Sequence, residues 1–482
     1  MASHPGQRDL TNGPIGKTLL AFALPTLFSS IIQSLNGSIN AIWVGRFLGE
    51  DALASTSNAN LVMFLLMAFV FGFGMAATIL IGQAFGRRDL DGARRVVGTA
   101  IGGFLPVVVG IAVLGWLFAP ALLRLLAMPP DAMPLALAYL RVIFLAMPAI
   151  LIMIVLMMGL RGTGDALTPL WFMIVAVLLD AGLNPVLILG LGPAPRLGIA
   201  GSATATVIAN YGALIGLLAY IYRRDLPLRL RGRELRYLMP DPAILTTIVK
   251  KGLPMGLQMI VVSSSALATI GLVNREGIDT TAAFGVAMQL WTYVQMPAMA
   301  LAAAASAMAA QNIGAGKWDR VSAITRSGVV HNLVITGLLV VLLAVADRPA
   351  LALFLGGDSP ALPIARHIQL IGTWSFMMFG VTMVLFGTVR ANGAVIGPLV
   401  ILAIGLYPVR FGFALGAYPG LGADALWFSF PVASFANMAM AAAFYLHGGW
   451  RKARMHIPPP AAELVEEAEA DAEPGGRISP AG

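Results

Sequence analysis

Hydrophobic residues of this chain form twelve long stretches separated by short polar segments. A helix that crosses a bilayer needs about 20 mostly apolar residues, and most of these stretches are too continuous for one face of a surface helix. Strands of a membrane barrel would instead show alternating segments of about ten residues. The pattern predicts an all-α polytopic membrane protein with twelve transmembrane helices, numbered here as spans 1 to 12. The stretches cover residues 18–45, 53–82, 97–122, 134–159, 168–191, 199–221, 244–272, 281–310, 324–345, 364–388, 395–416 and 424–446.

Composition supports this class of protein. Of the 482 residues, 58% are hydrophobic and 11% are charged, whereas about 25% of the residues in a soluble domain are charged. These values exclude an ordinary soluble enzyme and a disordered protein. The chain has no cysteine, which excludes disulfides, thiolate chemistry and cysteine-ligated metals. Its five histidines lack the paired spacing of a metal site, so we expect no cofactor and no metal other than a coupling ion.

The distribution of basic residues predicts the orientation in the membrane. Residues 1–17 are polar, and the apolar stretch after them is too long for the core of a signal peptide, so we expect span 1 to be retained. With the N-terminus in the cytoplasm, 23 of the 31 lysines and arginines face the cytoplasm, as the positive-inside rule requires. We therefore expect a multi-pass protein of the cell (inner) membrane with both termini in the cytoplasm. The eight basic residues expected on the other side are Arg46, Arg124, Arg141, Arg196, Arg275, Arg348, Arg366 and Arg410.

The two halves of the chain are related in sequence. Three short motifs of the first half recur in the second half at nearly the same offset, each at the same place in its half. Because six helices return the chain to the side from which it started, the repeats are parallel and related by an axis along the membrane normal. The paired motifs are Leu24-Pro25 and Leu253-Pro254, Gln83-x-x-Gly86 and Gln311-x-x-Gly314, and Arg161-x-x-Gly164 and Arg390-x-x-Gly393.

This duplication divides the chain into two six-helix lobes with a cleft between them. The basic linker between the lobes suits a position near anionic lipids, and we expect no nucleic-acid partner. The acidic C-terminal segment has the composition of a disordered tail. The expected parts are a cytoplasmic N-terminal segment (1–17), an N-terminal lobe (18–221), a basic cytoplasmic linker (222–243), a C-terminal lobe (244–446) and a cytoplasmic tail (447–482).

Several motifs resemble those of the multidrug and toxic compound extrusion (MATE) family. The segment Leu160–Pro169, with the sequence LRGTGDALTP, is similar to the family's signature between helices 4 and 5. Ile42–Arg46 resembles the end of the family's first helix, and Gly82–Gly86 and Gln311–Gly316 resemble the turns after helices 2 and 8. The resemblance covers roughly residues 15–450 and is closest to the DinF-like branch. It implies a MATE-like fold and a secondary antiporter, not an enzyme, that exports lipophilic or cationic compounds in exchange for protons or sodium ions.

A single acidic residue lies deep within a predicted span. Asp180 occupies the middle of span 5, whereas all other acidic residues can be placed in loops, tails or helix ends. A carboxylate at the bilayer centre costs about 2.5–3.5 kcal/mol on insertion scales, and its charged and neutral forms differ greatly in solvation. Asp180 is therefore a candidate proton carrier. The alternative is a structural hydrogen bond from span 5 to a neighbouring helix.

Polar residues at helical spacing accompany this acid. Asn184 lies four residues after Asp180 and shares its helix face. In the DinF-like branch this helix carries Asn followed by Asp, whereas here Asp180 precedes Asn184. The first helix of that branch carries Asp seven residues after Gln, whereas here Asn40 stands seven residues after Gln33. The resemblance thus implies a one-acid version of the family's ion-coupling site. Its expected residues are Gln33, Asn40, Asp180 and Asn184. Thr206 and Asn210 in span 6 are weaker candidates for substrate binding at its rim, and each can equally bond its own helix backbone.

The second lobe lacks such an acid. Spans 7 and 10, which carry acids in the other branch of the family, contain neither Asp nor Glu, and a hard cation such as sodium prefers several oxygen ligands with a carboxylate among them. Aromatic and polar side chains in a cleft can instead hold a flat lipophilic cation through apolar contact and cation–π attraction, although packing is the commoner role for any one of them. The substrate-binding candidates are Gln258, Gln289, Tyr293 and Trp374, accompanied by Ser263, Ser264, Ser265, Trp291 and Gln295.

These features favour a proton-coupled exporter of drugs and toxic compounds. We expect it to act as a monomer on small molecules, chiefly organic cations, and to contact membrane lipids. One alternative is a flippase for a lipid-linked precursor from the same superfamily, which would need a large cationic cleft. Another is a sodium-coupled drug antiporter. An integral membrane enzyme is disfavoured, because the intramembrane acid stands alone without a catalytic partner.

Overall fold

Long helices make up most of the part of the chain that the computed structural model describes, which comprises residues 9–125, 130, 132–453 and 455. No β-strand occurs among those residues. Their α-helices are α1 (Ile15–Leu48), α2 (Glu50–Gly86), α3 (Leu90–Leu125), α4 (Met133–Phe144), α5 (Met147–Gly162), α6 (Leu167–Leu189), α7 (Ile199–Arg223), α8 (Pro242–Val273), α9 (Ile278–Gly314), α10 (Trp318–Val345), α11 (Asp347–Leu355), α12 (Ala361–Gly372), α13 (Ser375–Arg390), α14 (Ile396–Ile404), α15 (Arg410–Leu421) and α16 (Asp424–His447).

These helices confirm the twelve predicted spans. Ten helical segments of the described residues are long and apolar enough to cross a membrane, and two bent pairs complete the set. Span 4 is the pair α4 and α5, bent by 48°, and span 10 is the pair α12 and α13, bent by 45°. The first bend precedes Pro148, which has no backbone N–H to continue the helical hydrogen bonds. Span 11 consists of α14 and α15, joined by a π-helical turn at Gly405–Val409.

The spans pack as two lobes that are parallel repeats. In the first lobe α6 packs against α1 and α7, and α2 packs against α3 and α5. In the second lobe α13 packs against α9, α10 and α16. The lobes meet along α1 and α2 on one side and α8 and α9 on the other. Each lobe also encloses a cavity among its own helices.

Reciprocal hydrogen bonds lock the lobes together at the end of the bundle where α2, α5, α9 and α13 terminate. Gln83 Nε2 donates to the backbone oxygen of Ala391 at 2.7 Å, and Gln311 Nε2 donates to that of Gly162 at 2.8 Å. The two acceptors are themselves counterparts in the repeat, one residue after Arg161 and one after Arg390. The recurrent Gln-x-x-Gly motifs therefore make equivalent bonds in opposite directions across the lobe boundary.

Glycine permits the close approach of α2 and α9 at this end. A Cβ atom at Gly86 would lie 2.0 Å from the backbone oxygen of Gln311, and one at Gly314 would lie 2.0 Å from that of Gln83. Both neighbours are backbone atoms, which cannot turn aside as the tip of a flexible side chain can. The glycines of the two motifs thus set the distance between the lobes.

The linker between the lobes is folded onto the first lobe. Its 3-10 turn, Gly232–Leu238, packs against α3. Arg94 of α3 pairs with Glu234 at 2.5 Å, and Arg95 pairs with Asp241 at 2.7 Å. Asp241 also caps the first turn of α8 with its side chain. The start of the second lobe is therefore anchored to α3 of the first.

The expected tail, residues 447–482, is ordered where it begins. Trp450 is buried, with 2% of its surface exposed. Asn392 Nδ2 donates a hydrogen bond to the backbone oxygen of Trp450 at 3.0 Å. These contacts hold the chain against the end of span 10. The prediction of disorder for the rest of the tail concerns residues 456–482, which lie outside the described residues.

Gly86→Ala tests the contact between α2 and α9. The added methyl group has no room beside the backbone oxygen of Gln311, so we expect overpacking to cost about 1–3 kcal/mol and to lower the melting temperature in detergent, measured by tryptophan fluorescence. Gly110→Ala in α3 is the matched control, because a Cβ there meets nothing within 4 Å and alanine favours the helix. Equal melting temperatures for the two variants would contradict the role of Gly86.

Candidate ion-coupling and substrate site

Asp180 lies near the middle of α6 and is buried, with 2% of its surface exposed. Because α6 packs against α1 and α7, side chains of both helices can reach its carboxylate. A carboxylate removed from water needs hydrogen bonds or an opposite charge from the protein. None of the ion pairs among the described residues involves Asp180. Hydrogen bonds therefore have to replace its lost hydration.

Within the described part of the chain, each oxygen of this carboxylate accepts two hydrogen bonds. Asn40 Nδ2 and Asn36 Nδ2 donate to Oδ2 at 2.8 and 3.1 Å. Thr206 Oγ1 and Asn184 Nδ2 donate to Oδ1 at 3.0 and 3.2 Å. All four donors are neutral, so dipoles rather than a cation stabilise the buried acid.

Two of the amides that hold Asp180 can also act as acceptors. The Oδ1 atoms of Asn36 and Asn184 are buried and have no hydrogen-bond partner within the described part of the chain. A carboxylic acid, unlike a carboxylate, donates a hydrogen bond and needs an acceptor. Rotation of either amide would turn its oxygen toward Asp180. The same side chains therefore suit both the charged and the neutral form of the acid.

Helical spacing brings this cluster together. Asn36 and Asn40 are four residues apart on α1, and Asp180 and Asn184 are four apart on α6, so each pair shares one helix face. Asn184 Nδ2 links the two faces by donating to Asn40 Oδ1 at 3.0 Å. Three of the four expected ion-coupling residues, Asn40, Asp180 and Asn184, thus lie in direct contact.

A cavity of about 290 Å³ opens beside the carboxylate within the first lobe. Most of its wall is apolar, and unbranched thioether side chains are prominent in it. Such side chains adapt their shape to different apolar ligands and favour contact with aromatic rings. The methionines and phenylalanine of the wall are Met67, Met153, Met157, Met158, Met173 and Phe71.

Some polar residues of the cavity wall make no hydrogen bond to Asp180. Gln33, the fourth expected ion-coupling residue, lines the cavity, and no hydrogen bond joins it to Asp180 among the described residues. Asn210 also lines the cavity, and its Nδ2 donates to the backbone oxygen of Thr206 at 2.8 Å. Arg161, at the end of α5, also lines the cavity, as do Ser29 and Ser30 of α1. Gln33 and Asn210 are therefore placed to contact a substrate rather than the acid.

The four substrate-binding candidates of the second lobe lie away from this cavity. Gln258 is buried and bonds to Arg390 and to the backbone before α14. Gln289 Nε2 donates to the hydroxyl of Tyr293 at 3.2 Å, and Tyr293 is 42% exposed. Trp374 is 45% exposed at the break between α12 and α13. The structure does not bring the four together, and their role in substrate binding stays a prediction.

Sequence reasoning missed Asn36 as a ligand of Asp180. The residue stands between Gln33 and Asn40 on the same face of α1, and its spacing of four from Asn40 was the available signal. Helical spacing, rather than the family pattern, indicates Asn36.

Arg410 is a correction to the sequence analysis, which places it among the basic residues on the outer side. The structure buries Arg410 within span 11, with 7% of its surface exposed. The whole of α15 separates it from the end of that span at Leu421, which the sequence analysis expects on the outer side. The available signal was the apolar stretch itself, since residues 395–416 enclose this arginine.

The MatE family model matches the chain twice, at residues 25–186 and 254–415. The chain belongs to the MATE family. The two matches begin at Pro25 and Pro254, which are the prolines of the first recurrent motif. The MATE relatives of the chain are transporters, so the protein is a multi-pass membrane transporter and not an enzyme. Its assignment to the DinF-like branch stays a prediction.

Relatives and solved structures extend the match over nearly the whole chain. The probable multidrug resistance protein YoeA of Bacillus subtilis is 36% identical over 433 residues, which are 89% of this chain and 93% of that protein. The FAD transporter of Shewanella oneidensis is 26% identical over 445 residues, which are 91% of this chain and 95% of that protein. The outward-facing structure of a multidrug resistance MATE family transporter matches with a TM-score of 0.83 at 21% identity, over 94% of this chain and 98% of that one.

Asn36→Ala and Asn40→Ala test the bonds to the acid of this MATE transporter. Each removes one donor to Asp180 Oδ2, and a hydrogen bond to a charged group contributes about 1.5–3 kcal/mol. We therefore expect the pH profile of dye efflux from proteoliposomes to move by about one unit or more.

Gln33→Ala is the matched control for these variants. Gln33 lines the same cavity without bonding to the acid, so its removal should alter the affinity for some dyes and leave the pH profile in place. A profile that moves as far in Gln33→Ala as in Asn36→Ala would show that the bonds to Asp180 are not the cause.

Proposed function

We propose that this MATE transporter exports lipophilic and cationic compounds in exchange for protons. The observation that carries the proposal is the environment of Asp180, a buried carboxylate held by four neutral donors beside a methionine-rich cavity. Its charge has no ion-pair partner among the described residues, so a cation that binds next to it, away from Arg161 at the end of α5, is attracted to it. Gain or loss of a proton at this group then changes what the cavity binds.

A proton and an organic cation compete for the same carboxylate. A cation in the cavity pairs with the charged acid, whereas a proton neutralises the acid and removes the attraction. Binding of one therefore favours release of the other, which is the coupling that antiport requires. Rotation of the Asn36 and Asn184 amides lets the site satisfy Asp180 in either state.

The wall of the cavity supports a broad class of small-molecule substrates. Methionine side chains and Phe71 offer apolar contact that adapts to ligands of different shape. Gln33 and Asn210 add a few polar groups that can orient a substrate. The name of YoeA as a probable multidrug resistance protein points to the same class.

Hydrogen-bond geometry at Asp180 favours protons over sodium ions as the coupling ion. A sodium ion needs several oxygen lone pairs around it. The groups that face the carboxylate present N–H and O–H donors instead, from Asn36, Asn40, Asn184 and Thr206. Several of these side chains would have to turn before a sodium ion could bind, whereas a proton needs only one acceptor.

In this proposal the protein lies in the cell inner membrane as a monomer with both termini in the cytoplasm. The locked end of the bundle, at Gln83 and Gln311, then faces the cytoplasm, together with the basic linker at 222–243. The excess of lysine and arginine on that side supports the orientation. Closure at that end leaves the opposite end of the lobe boundary as the route to the outside.

Asp180→Asn should abolish coupled efflux and leave the fold intact. The amide keeps the size and hydrogen bonding of the side chain but cannot exchange a proton. Dye efflux driven by a pH gradient in proteoliposomes and the melting temperature in detergent measure the two effects, and Asp279→Asn at the exposed start of α9 is the matched control. We expect Asp180→Asn combined with Asn184→Asp to recover part of the activity, because the acid returns within the same cluster. Normal efflux with an unshifted pH profile in Asp180→Asn would remove the proton-carrier role.

Imposed ion gradients separate the two coupling schemes. A pH gradient alone should drive dye efflux from proteoliposomes, and a sodium gradient alone at clamped pH should not, because Asp180 faces hydrogen-bond donors. The Asp180→Asn protein serves as the blank in both arms. Efflux driven by sodium at clamped pH would reverse the assignment of the coupling ion.

A further inference from the structure

The second lobe contains a cavity of its own, of about 200 Å³. Its walls come from α8, α9, α13 to α16 and the π-helical turn between α14 and α15. It is the repeat counterpart of the cavity beside Asp180, because residues that line the two cavities correspond at the offset that relates Pro25 to Pro254. The corresponding pairs are Gln33 and Val262, Ile150 and Phe379, Met173 and Leu402, and Val177 and Leu406.

Arg410 takes the place in this cavity that Asp180 takes in the other. At the same offset, the counterpart of Asp180 is Val409, the last residue of the π-helical turn Gly405–Val409. A π-helical turn holds one residue more than an α-helical turn, so it moves Arg410 into the corresponding place. The two lobes therefore carry opposite charges at equivalent positions.

Arg410 has no counter-ion in the described part of the protein. Its Nε is buried without a hydrogen-bond partner, and its guanidinium lies on the ring of Phe430, with Cζ 3.8 Å from the ring centroid. Asp424 and Glu276, at the ends of adjoining helices, are bonded to a histidine and a tyrosine. A guanidinium offers five donors in a planar fork, and Arg410 lines the cavity without donating a hydrogen bond to any described residue.

Aromatic and polar groups complete the lining around this arginine. Asn437 lines the cavity, and its Oδ1 is buried without a partner. Gln295 and Ser434 add further polar groups. The rings on the wall belong to Trp291, Phe376, Phe379 and Phe430. One buried cation among rings and a few polar side chains matches a flat molecule that carries a negative group.

We propose that the cavity of the second lobe binds the carboxylate or phosphate group of an aromatic compound. Arg410 pairs with the anion through its planar fork, which matches the geometry of both groups, and the surrounding rings hold the aromatic part. The inference rests on the proposed export function and deepens it. In this proposal aromatic anions and zwitterions are substrates as well as cations. Asp180 of the first lobe attracts a positive group, and Arg410 of the second lobe attracts a negative one.

Equilibrium binding of a matched pair of dyes tests this site without transport. The probes are a rhodamine with a free carboxylate and the methyl ester of the same rhodamine, followed by fluorescence polarisation with the purified protein in detergent. We expect the wild type to bind the free acid about tenfold more tightly than the ester, which corresponds to one charged hydrogen-bonded pair. Arg410→Gln should abolish this preference, and Arg410→Lys should keep part of it.

Arg141→Gln is the matched control variant. Arg141 is another arginine of a membrane-spanning helix that stacks on an aromatic ring, that of Trp116 at 4.8 Å, but it lies in the first lobe. This variant should keep the preference for the free acid. Equal affinity of the wild type for acid and ester, or an unchanged preference in Arg410→Gln, would overturn the proposal. Displacement of the acid by inorganic phosphate at comparable concentration would overturn the requirement for an aromatic ligand.

The Asp180→Asn protein keeps this test separate from the proposed coupling mechanism. It should lose efflux and still prefer the free acid, because Arg410 is unchanged. Loss of the preference in Asp180→Asn as well would contradict an independent site in the second lobe. If Arg410→Gln fails to fold, Arg410→Lys takes its place, and an unchanged preference for the free acid in Arg410→Lys would overturn the proposal.

Discussion

An ionisable group inside a bilayer has to be satisfied by the protein, since no water is at hand to solvate it. Asp180 meets this requirement through side chains of three helices, and their spacing on α1, α6 and α7 follows from it. The acid thereby links α6 to α1 and α7 and makes one side of the cavity polar. Packing of α6 against α1 and α7 brings together the donors that the buried charge requires.

Duplication explains how two lobes of one design acquire different chemistry. The two lobes share their helix arrangement. The Gln-x-x-Gly motifs make equivalent hydrogen bonds across the lobe boundary, and several lining residues of the two cavities correspond at a common offset. The charged residue at the equivalent place is not shared. A π-helical turn before Arg410 inserts one residue and presents a base where the first lobe presents an acid.

The sequence predicted the spans and Asp180 because both depend on local pattern. Long apolar stretches mark membrane helices whatever their neighbours are, and a lone acid within one of them is conspicuous. For Asn36 and Arg410 the local pattern indicates only position, a shared face with Asn40 and a place within an apolar stretch; what each side chain contacts depends on which helix faces which. Gln289, Tyr293 and Trp374 were chosen by residue type alone; Gln289 bonds to Tyr293, but packing does not bring these residues together with Gln258 into one site. Composition indicates candidates, while helix contacts decide which of them meet.

The central claim is that substrate and proton compete for Asp180. The most direct measurement is the uptake or release of protons when an organic cation binds to the purified protein in detergent, followed calorimetrically in buffers of different ionisation enthalpy. The account predicts that the wild type releases protons on binding over part of the pH range, and that Asp180→Asn binds without any release. Binding to the wild type with no change in bound protons at any pH would contradict it.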